Sequence, residues 1–139
     1  MLVCFDCNDV YDKEKTYFNR EIRDWNQCPK TICNGALEEI DELMIPTIIE
    51  LNRKGYVTRS CCSGHLYDSC PQVFIMFGND YAPVTAPKGF SLKIGRYGII
   101  VEVEKKLEKI EDDFILYQRI LELNKILYQW SLSLDEIIY

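Results

Sequence analysis

The sequence predicts a mixed fold, α+β or α/β, with a small central sheet of three or more strands, two main helices and an N-terminal zinc ribbon. Paired cysteines near the N-terminus indicate the ribbon, short apolar runs indicate the strands, and a long amphipathic segment near the C-terminus indicates a helix. With 139 residues, 47% of them apolar, the chain can bury a core. We therefore expect a zinc-ribbon-like module in residues 1–40 and a small α/β domain in residues 41–139.

Charge and hydropathy limit the possible partners. A formal net charge of −6 disfavours bulk binding to DNA or RNA, because proteins that neutralise a phosphate backbone are usually basic. No apolar run reaches the roughly 20 residues that cross a bilayer, and the N-terminus lacks the basic start of a signal peptide. We expect a cytoplasmic protein without membrane association. Thiols stay reduced there, so seven cysteines favour metal binding or reactivity over disulfides.

The first four cysteines form two close pairs. Two residues separate Cys4 from Cys7, and four separate Cys28 from Cys33. Two such pairs about 20 residues apart are typical of a zinc ribbon, in which one structural Zn²⁺ ties two turns together. Thiolates suit this ion because it is borderline-soft and prefers four tetrahedral ligands. The alternative is four buried free cysteines that pack as small hydrophobic residues.

A helix is predicted after a last ribbon strand at residues 36–40. Asp41 is placed to cap it, and Gly55 to end it. Pro46 either kinks this helix or marks its true start. The apolar positions at helical spacing are Leu43, Met44, Ile48 and Leu51.

Three later segments are predicted to be strands. They comprise residues 56–62, the apolar run 72–78, which indicates a buried central strand, and residues 99–104, which alternate between apolar side chains and glutamates. Between the last two, residues 79–98 are rich in proline and glycine, so we expect a long loop that acts as a lid. Its aromatic and basic residues could stack on and neutralise a nucleotide; the alternative is a solvated loop that its aromatics pin to the core. These residues include Tyr81, Lys88, Phe90, Lys93, Arg96 and Tyr97.

The C-terminal segment, residues 113–134, is the strongest predicted helix, with Asp112 or Asp113 as its cap. It carries two apolar stripes where a surface helix needs one. We expect one stripe to face the sheet and the other to face a second copy of the chain, giving a homo-oligomer. The alternative is a helix sunk deep in its own domain. The stripes are Leu116, Ile120, Leu123, Leu127, Trp130 and Leu134, and Phe114, Tyr117, Leu121 and Tyr128.

Reactive side chains concentrate at residues 60–65, where the first domain strand ends in a small-residue loop that holds the only histidine. Strand alternation turns Cys61 and Cys62 to opposite faces, one toward the core and one toward the site. Cys62 and His65 could act as nucleophile and base, or bind a second metal with Cys70. Alternatively, the amides around Gly64 could bind a phosphate. The loop could also be a tight turn without a ligand.

This loop also carries a resemblance. The run Leu51-Asn52-x-Lys54-Gly55-Tyr56-x-Thr58, followed by Cys61-Cys62-Ser63-Gly64-His65, resembles uncharacterised small proteins of Gram-positive bacteria and their phages, which also begin with paired cysteines. More distantly, it resembles the Ser-Ser-Cys-Ser-Gly-Arg motif of the wybutosine-synthesising tRNA methyltransferases, which use S-adenosylmethionine on an α/β fold. His65 stands where that family has arginine. The resemblance implies a ligand pocket at this loop.

We therefore predict a non-enzymatic zinc protein that binds a nucleotide-like small molecule between the Cys62–His65 loop and the lid. The predicted ligand-binding residues are Ser60, Ser63, Gly64, His65, Tyr81, Lys88, Phe90 and Arg96. In a phage, such a pocket could sequester a host signalling nucleotide as an anti-defence device, a role implied by the resemblance. The alternatives are a nucleotide- or RNA-modifying transferase or a Cys-His hydrolase that uses Cys62 and His65, and an inhibitor that binds a host protein.

Overall fold

The computed structural model describes residues 1–11, 28, 33, 35, 37–66, 71–78, 80–96, 98–107 and 112–137. Within these ranges the fold is α+β, with two α-helices and two antiparallel sheets of three and four strands, as the sequence predicts. Cys70, the predicted third ligand of a second metal, lies outside the described residues, as does Tyr97 of the predicted lid.

The N-terminal sheet is small, and its first strand ends at Cys4. Its strands are β1 (Leu2–Cys4), β2 (Val10–Tyr11) and β3 (Leu37–Glu39), in the order β2-β1-β3. β3 lies inside the predicted last ribbon strand. Among the described residues, its buried cluster contains Leu2, Cys4, Cys28 and Leu37.

The first helix begins later than its apolar spacing suggests. A 3₁₀ turn at Glu42–Met44 precedes α1 (Ile45–Arg53), and Pro46 lies in the first turn of α1, where a missing N–H costs nothing. Pro46 therefore marks the true start, and Gly55, with φ of 96°, follows the end. The capping role predicted for Asp41 is wrong: its side chain makes no capping bond, because the loop after β4 engages its carboxylate.

The larger sheet supplies most of the core. Its strands are β4 (Thr58–Cys62), β5 (Phe74–Phe77), β6 (Phe90–Gly95) and β7 (Gly98–Val103), in the order β4-β5-β7-β6. β5 is central, as predicted. Ile75 and Phe77 on β5 and Val101 on β7 are fully buried, and they pack in one cluster with residues of both helices.

The prediction of an irregular lid at residues 79–98 is wrong. Phe90 to Gly95 form β6, which pairs with β7 in register from Phe90↔Val103 to Gly95↔Gly98. Phe90 is only 4% exposed and belongs to the core. The alternation of Phe90, Leu92 and Ile94 with polar neighbours is a strand signal that the flanking glycines obscured.

The second helix, α2 (Asp113–Ser133), matches its prediction closely. The Asp112 carboxylate caps it, accepting hydrogen bonds from the amides of Phe114 at 2.7 Å and Ile115 at 3.2 Å. The first predicted stripe packs into the core, with Leu116, Ile120, Leu127 and Trp130 buried.

The second stripe of α2 faces outward. Phe114 is 67% exposed, and Tyr117, Leu121 and Tyr128 are between 37% and 43% exposed. The alternative of a helix sunk in its own domain is therefore wrong, while packing of this face against a second copy stays a prediction. No helix in the described part of the chain is long and apolar enough to cross a bilayer.

A buried lysine joins the C-terminal ends of the two helices. Lys54, just after α1, is 6% exposed, and its ammonium donates hydrogen bonds to the carbonyl oxygens of Ser131, Leu132 and Leu134 at 2.8, 2.8 and 2.6 Å. These carbonyls lack partners within α2, and the negative end of the helix dipole favours a cation there. Lys54 thus serves as a C-cap supplied by another helix.

Replacing Lys54 tests this cap. Lys54→Met keeps the length of the apolar stem but leaves the carbonyls without their charged donor, so we expect the free energy of unfolding to fall by about 2–4 kcal/mol. Urea denaturation followed by circular dichroism measures the loss. The control is Arg53→Met, which removes a half-exposed neighbour that pairs with the carboxylates of Glu50 and Glu136 instead of the α2 carbonyls. Equal losses in the two variants would contradict the cap.

Candidate functional site

The four N-terminal cysteines converge on one point. The Sγ atoms of Cys4 and Cys33 are 3.6 Å apart, those of Cys7 and Cys28 are 3.8 Å apart, and all four lie within 4.8 Å of one another. A tetrahedral ion with metal–sulfur bonds of about 2.3 Å would space its sulfur ligands by about 3.8 Å. The predicted cluster is therefore present, and it is close enough to hold a metal ion.

A tight turn brings the first pair together. The chain leaves β1 at Cys4 and reverses, so that the Asn8 amide donates to the Cys4 carbonyl at 2.7 Å and the Cys4 amide donates to Asp9 at 3.0 Å. Asn8 has a φ of 59°, a left-handed conformation that asparagine tolerates better than most residues. This turn returns Cys7 to the side of Cys4.

Gly35 closes the second half of the cluster. Its amide donates to Cys33 Sγ at 3.4 Å, and its carbonyl accepts from the Cys28 amide at 2.8 Å. A Cβ at this position would lie 2.7 Å from Cys4 Sγ and 2.5 Å from Asp6 Oδ2. Only glycine lets the two halves approach this closely.

The surroundings of the cluster disfavour free thiolates. Burial raises the pKa of the Cys4 thiol to about 12, although the amides of Cys7 and Asp6 lower it. Burial also raises the pKa of Tyr11, whose hydroxyl lies 3.6 Å from Cys28 Sγ. A bound cation reverses this balance, because coordination stabilises the thiolate form. The cluster is thus chemically suited to a metal and poorly suited to acting as a group of free nucleophiles.

A second group of metal-ligating side chains forms where β4 meets the start of the first helix. Asp41, Cys62 and His65 each place one ligand atom within 4.8 Å of the others. Asp41 Oδ2 lies 3.3 Å from His65 Nε2 and accepts hydrogen bonds from the Ser63 amide at 3.0 Å and the Ser63 hydroxyl at 3.1 Å. Sequence reasoning identified Cys62 and His65 but missed Asp41, which it treated as a helix cap.

These three side chains do not form a nucleophile relay. In a Cys-His-Asp relay the imidazole lies between the other two groups, and two hydrogen bonds of about 3 Å plus the ring hold the sulfur and the carboxylate roughly 7 Å apart. Here a carboxylate oxygen of Asp41 and Cys62 Sγ lie within 4.8 Å. The arrangement is convergent, so His65 does not bridge Cys62 and Asp41.

The loop that carries Ser63 is held from both sides. Asn124 of α2 is buried, and its Nδ2 donates to the Ser63 carbonyl at 3.0 Å and to the Ile120 carbonyl at 2.8 Å. Gly64 is also buried, with φ of 95°, and a Cβ there would meet Val73 and Ile120 at 3.2 to 3.4 Å. The predicted anion site at Ser63 is therefore filled by the carboxylate of Asp41, and Gly64 faces the core.

The two adjacent cysteines have different environments, as strand alternation predicts. Cys61 packs against the core, where burial first and then the negative charge of Asp41 raise the pKa of its thiol to about 12. Cys62 lies on the side of Asp41 and His65. The raised pKa disfavours the reactive thiolate form of Cys61.

The remaining predicted ligand-binding residues are not gathered around this loop. β4 pairs with β5 from Thr58↔Phe77 at one end of the sheet to Cys62↔Phe74 at the other, and His65 follows the Cys62 end. The Tyr81 carbonyl accepts a hydrogen bond from the Val57 amide at 3.0 Å, at the end of the sheet opposite His65. Arg96 lies in the β6–β7 turn, at the same end of the sheet as Tyr81. Lys88 is exposed and lies just before β6, at the same end of the sheet as His65. Ser60 is exposed within β4, whereas Phe90 is buried in the core.

No family model, curated protein or solved structure matches this chain. The likeness of the Cys61–His65 run to phage proteins and tRNA methyltransferases therefore stays a prediction.

The left-handed turn at Gly64 gives a direct test of how the loop is built. Gly64→Ala adds a methyl group against Val73 and Ile120 in a conformation that alanine rarely adopts, so we expect a loss of about 2–3 kcal/mol in unfolding free energy. Gly89→Ala is the matched control, because Gly89 has a φ of 89° but open space around its Cβ position. Denaturant titration should show the larger loss for Gly64→Ala; the reverse order would contradict the close packing of the loop.

Proposed function

We propose that this protein is a non-enzymatic, zinc-stabilised binding module in which Cys4, Cys7, Cys28 and Cys33 hold one structural Zn²⁺. The observation that carries the proposal is the convergence of four sulfur atoms at the spacing of a tetrahedral thiolate site. Four protein ligands leave no position for water, which is typical of structural rather than catalytic zinc.

Burial supports a structural role for this ion. Cys4 and Cys28 are fully buried, and among the described residues Leu2 and Leu37 are the other buried members of their cluster. Zinc binding to four thiolates contributes about 10 kcal/mol or more to small zinc domains at neutral pH. The metal would therefore be the main stabilising contact of the four-cysteine cluster.

Removing one ligand tests the zinc proposal. We expect Cys28→Ser to contain one zinc ion fewer per chain than the wild type and to be cleaved rapidly by protease within residues 1–40, because the module loses its main stabilising contact. α2 should remain folded, since its contacts lie in the other cluster.

Inductively coupled plasma mass spectrometry measures the metal, and limited proteolysis with peptide mapping measures the folding of the module. Cys61→Ser, which changes a thiol outside the cluster, is the control and should keep the wild-type zinc content. Unchanged zinc content in Cys28→Ser would contradict the proposal.

A nucleotide-like small molecule is the ligand we propose for the domain. The His65 side chain is 32% exposed where the chain leaves β4. Lys88 precedes β6 at the same end of the sheet but on the opposite edge, about 14 Å away across three strand spacings. A ligand as long as a nucleoside diphosphate would have to extend across this end of the sheet to contact both residues. We expect Lys88→Ala to weaken binding of a nucleoside diphosphate about tenfold, by removing one charge contact. Arg96→Ala, at the far end of the sheet, should have no effect. Isothermal titration calorimetry measures both, and equal losses would contradict this placement.

A further inference from the structure

We propose that Asp41, Cys62 and His65 form a second metal site, distinct from the four-cysteine centre, which binds a borderline-soft divalent cation such as Zn²⁺ through one oxygen, one sulfur and one nitrogen. This site differs from the structural zinc centre in its residues and its place in the fold, and its ion would have an open coordination position.

The distances agree with a shared ion. A tetrahedral Zn²⁺ with bonds of about 2.1 Å to oxygen and nitrogen would hold those two ligands about 3.4 Å apart. Asp41 Oδ2 and His65 Nε2 are 3.3 Å apart, and Cys62 contributes a sulfur within 4.8 Å of its partners. A thiolate about 2.3 Å from the same ion would lie about 3.6 Å from the oxygen and the nitrogen, which is inside this limit.

The ligands are held by groups outside the coordination sphere. The Ser63 amide and hydroxyl both donate to Asp41 Oδ2, and Asn124 Nδ2 donates to the carbonyl of the same serine. Hydrogen bonds to ligating carboxylates are typical of metal sites, where they fix the direction of the ligand and strengthen binding. Cys62 directly precedes Ser63 and His65 follows it by two residues, so these bonds hold the backbone of the loop that carries both ligands.

Charge favours a divalent ion at this position. A carboxylate and a thiolate add two negative charges, and a neutral imidazole adds none, so the three ligands neutralise one M²⁺. The mixture of oxygen, sulfur and nitrogen donors suits zinc better than magnesium or calcium, which prefer oxygen alone. Without an ion, the ionised forms of Asp41 and Cys62 would repel one another at this separation.

The fourth position of this ion faces solvent. The side chains of Asp41 and His65 are 31% and 32% exposed, whereas Cys4 and Cys28 of the other centre are fully buried. Three protein ligands and an open position are typical of zinc ions that bind water or an exchangeable anion. The second ion would therefore take a water molecule or an oxygen anion, such as a phosphate group, as its fourth ligand.

The test counts metal ions and identifies their ligands. We expect wild-type protein reconstituted with Zn²⁺ to hold two ions per chain, and Asp41→Asn, Cys62→Ala and His65→Ala to hold one each. Cys61→Ala is the matched control and should hold two, because its thiol packs against the core. Cys28→Ser, which lacks the first centre, should still hold one ion, so failure of the second site is distinguishable from failure of the structural zinc. Inductively coupled plasma mass spectrometry gives the count.

Alkylation of the unmodified chain keeps the test decisive if a variant does not fold. Coordination blocks a thiolate, so zinc should slow iodoacetamide labelling of Cys62 by at least about tenfold, and a chelator should restore it. Peptide mass spectrometry measures the labelling at each cysteine, and Cys61 should label slowly under both conditions. Two ions in folded Cys62→Ala, or equal labelling of Cys62 with and without zinc, would overturn the proposal.

Discussion

The constraint that governs the N-terminal part of this protein is the crowding of four thiols within 4.8 Å of one another, two of them fully buried. Burial disfavours their ionised forms. A cation reverses this effect, because it stabilises the thiolates and ties the two turns together. The backbone allows the four sulfur atoms to meet at two positions. Asn8 takes a left-handed conformation in the first turn, and Gly35 lacks a side chain where the two halves approach.

An apolar core stabilises the rest of the fold. One end of its larger sheet carries a second set of metal-ligating side chains, those of Asp41, Cys62 and His65. Lys54 joins the ends of the two helices, and Asp41 joins the first helix to the loop after β4. The two clusters differ in their access to solvent. In the four-cysteine centre, Cys4 and Cys28 are buried and Cys7 and Cys33 are partly exposed, and four protein ligands suit a structural ion. In the other cluster, the side chains of Asp41 and His65 are 31% and 32% exposed, and three protein ligands suit an ion with an exchangeable fourth ligand.

The sequence predicted those features that depend on local patterns. Cysteine spacing, the Asp112 cap, the buried stripe of α2 and the position of β5 follow from neighbours a few residues apart, and all are present. Features set by distant contacts were missed. Asp41 was interpreted as a cap because its partner Ser63 is 22 residues away, and the short strand at Phe90 was hidden between glycines.

The predicted ligand pocket shows the same limit. The prediction grouped Tyr81 and Arg96 with His65. The strand register places Tyr81 and Arg96 at one end of the larger sheet and His65 at the other. Periodicity identifies which residues lie on a strand, but the pairing partners decide which of them are neighbours in space.

Zinc K-edge X-ray absorption on the Cys62→Ser variant tests the central claim most directly, because that variant leaves only the N-terminal centre to bind zinc. We predict a first shell of four sulfur atoms at about 2.3 Å and no oxygen or nitrogen ligand. Absence of zinc from the purified protein, or a shell dominated by oxygen and nitrogen, would contradict the claim that these four cysteines hold a structural ion.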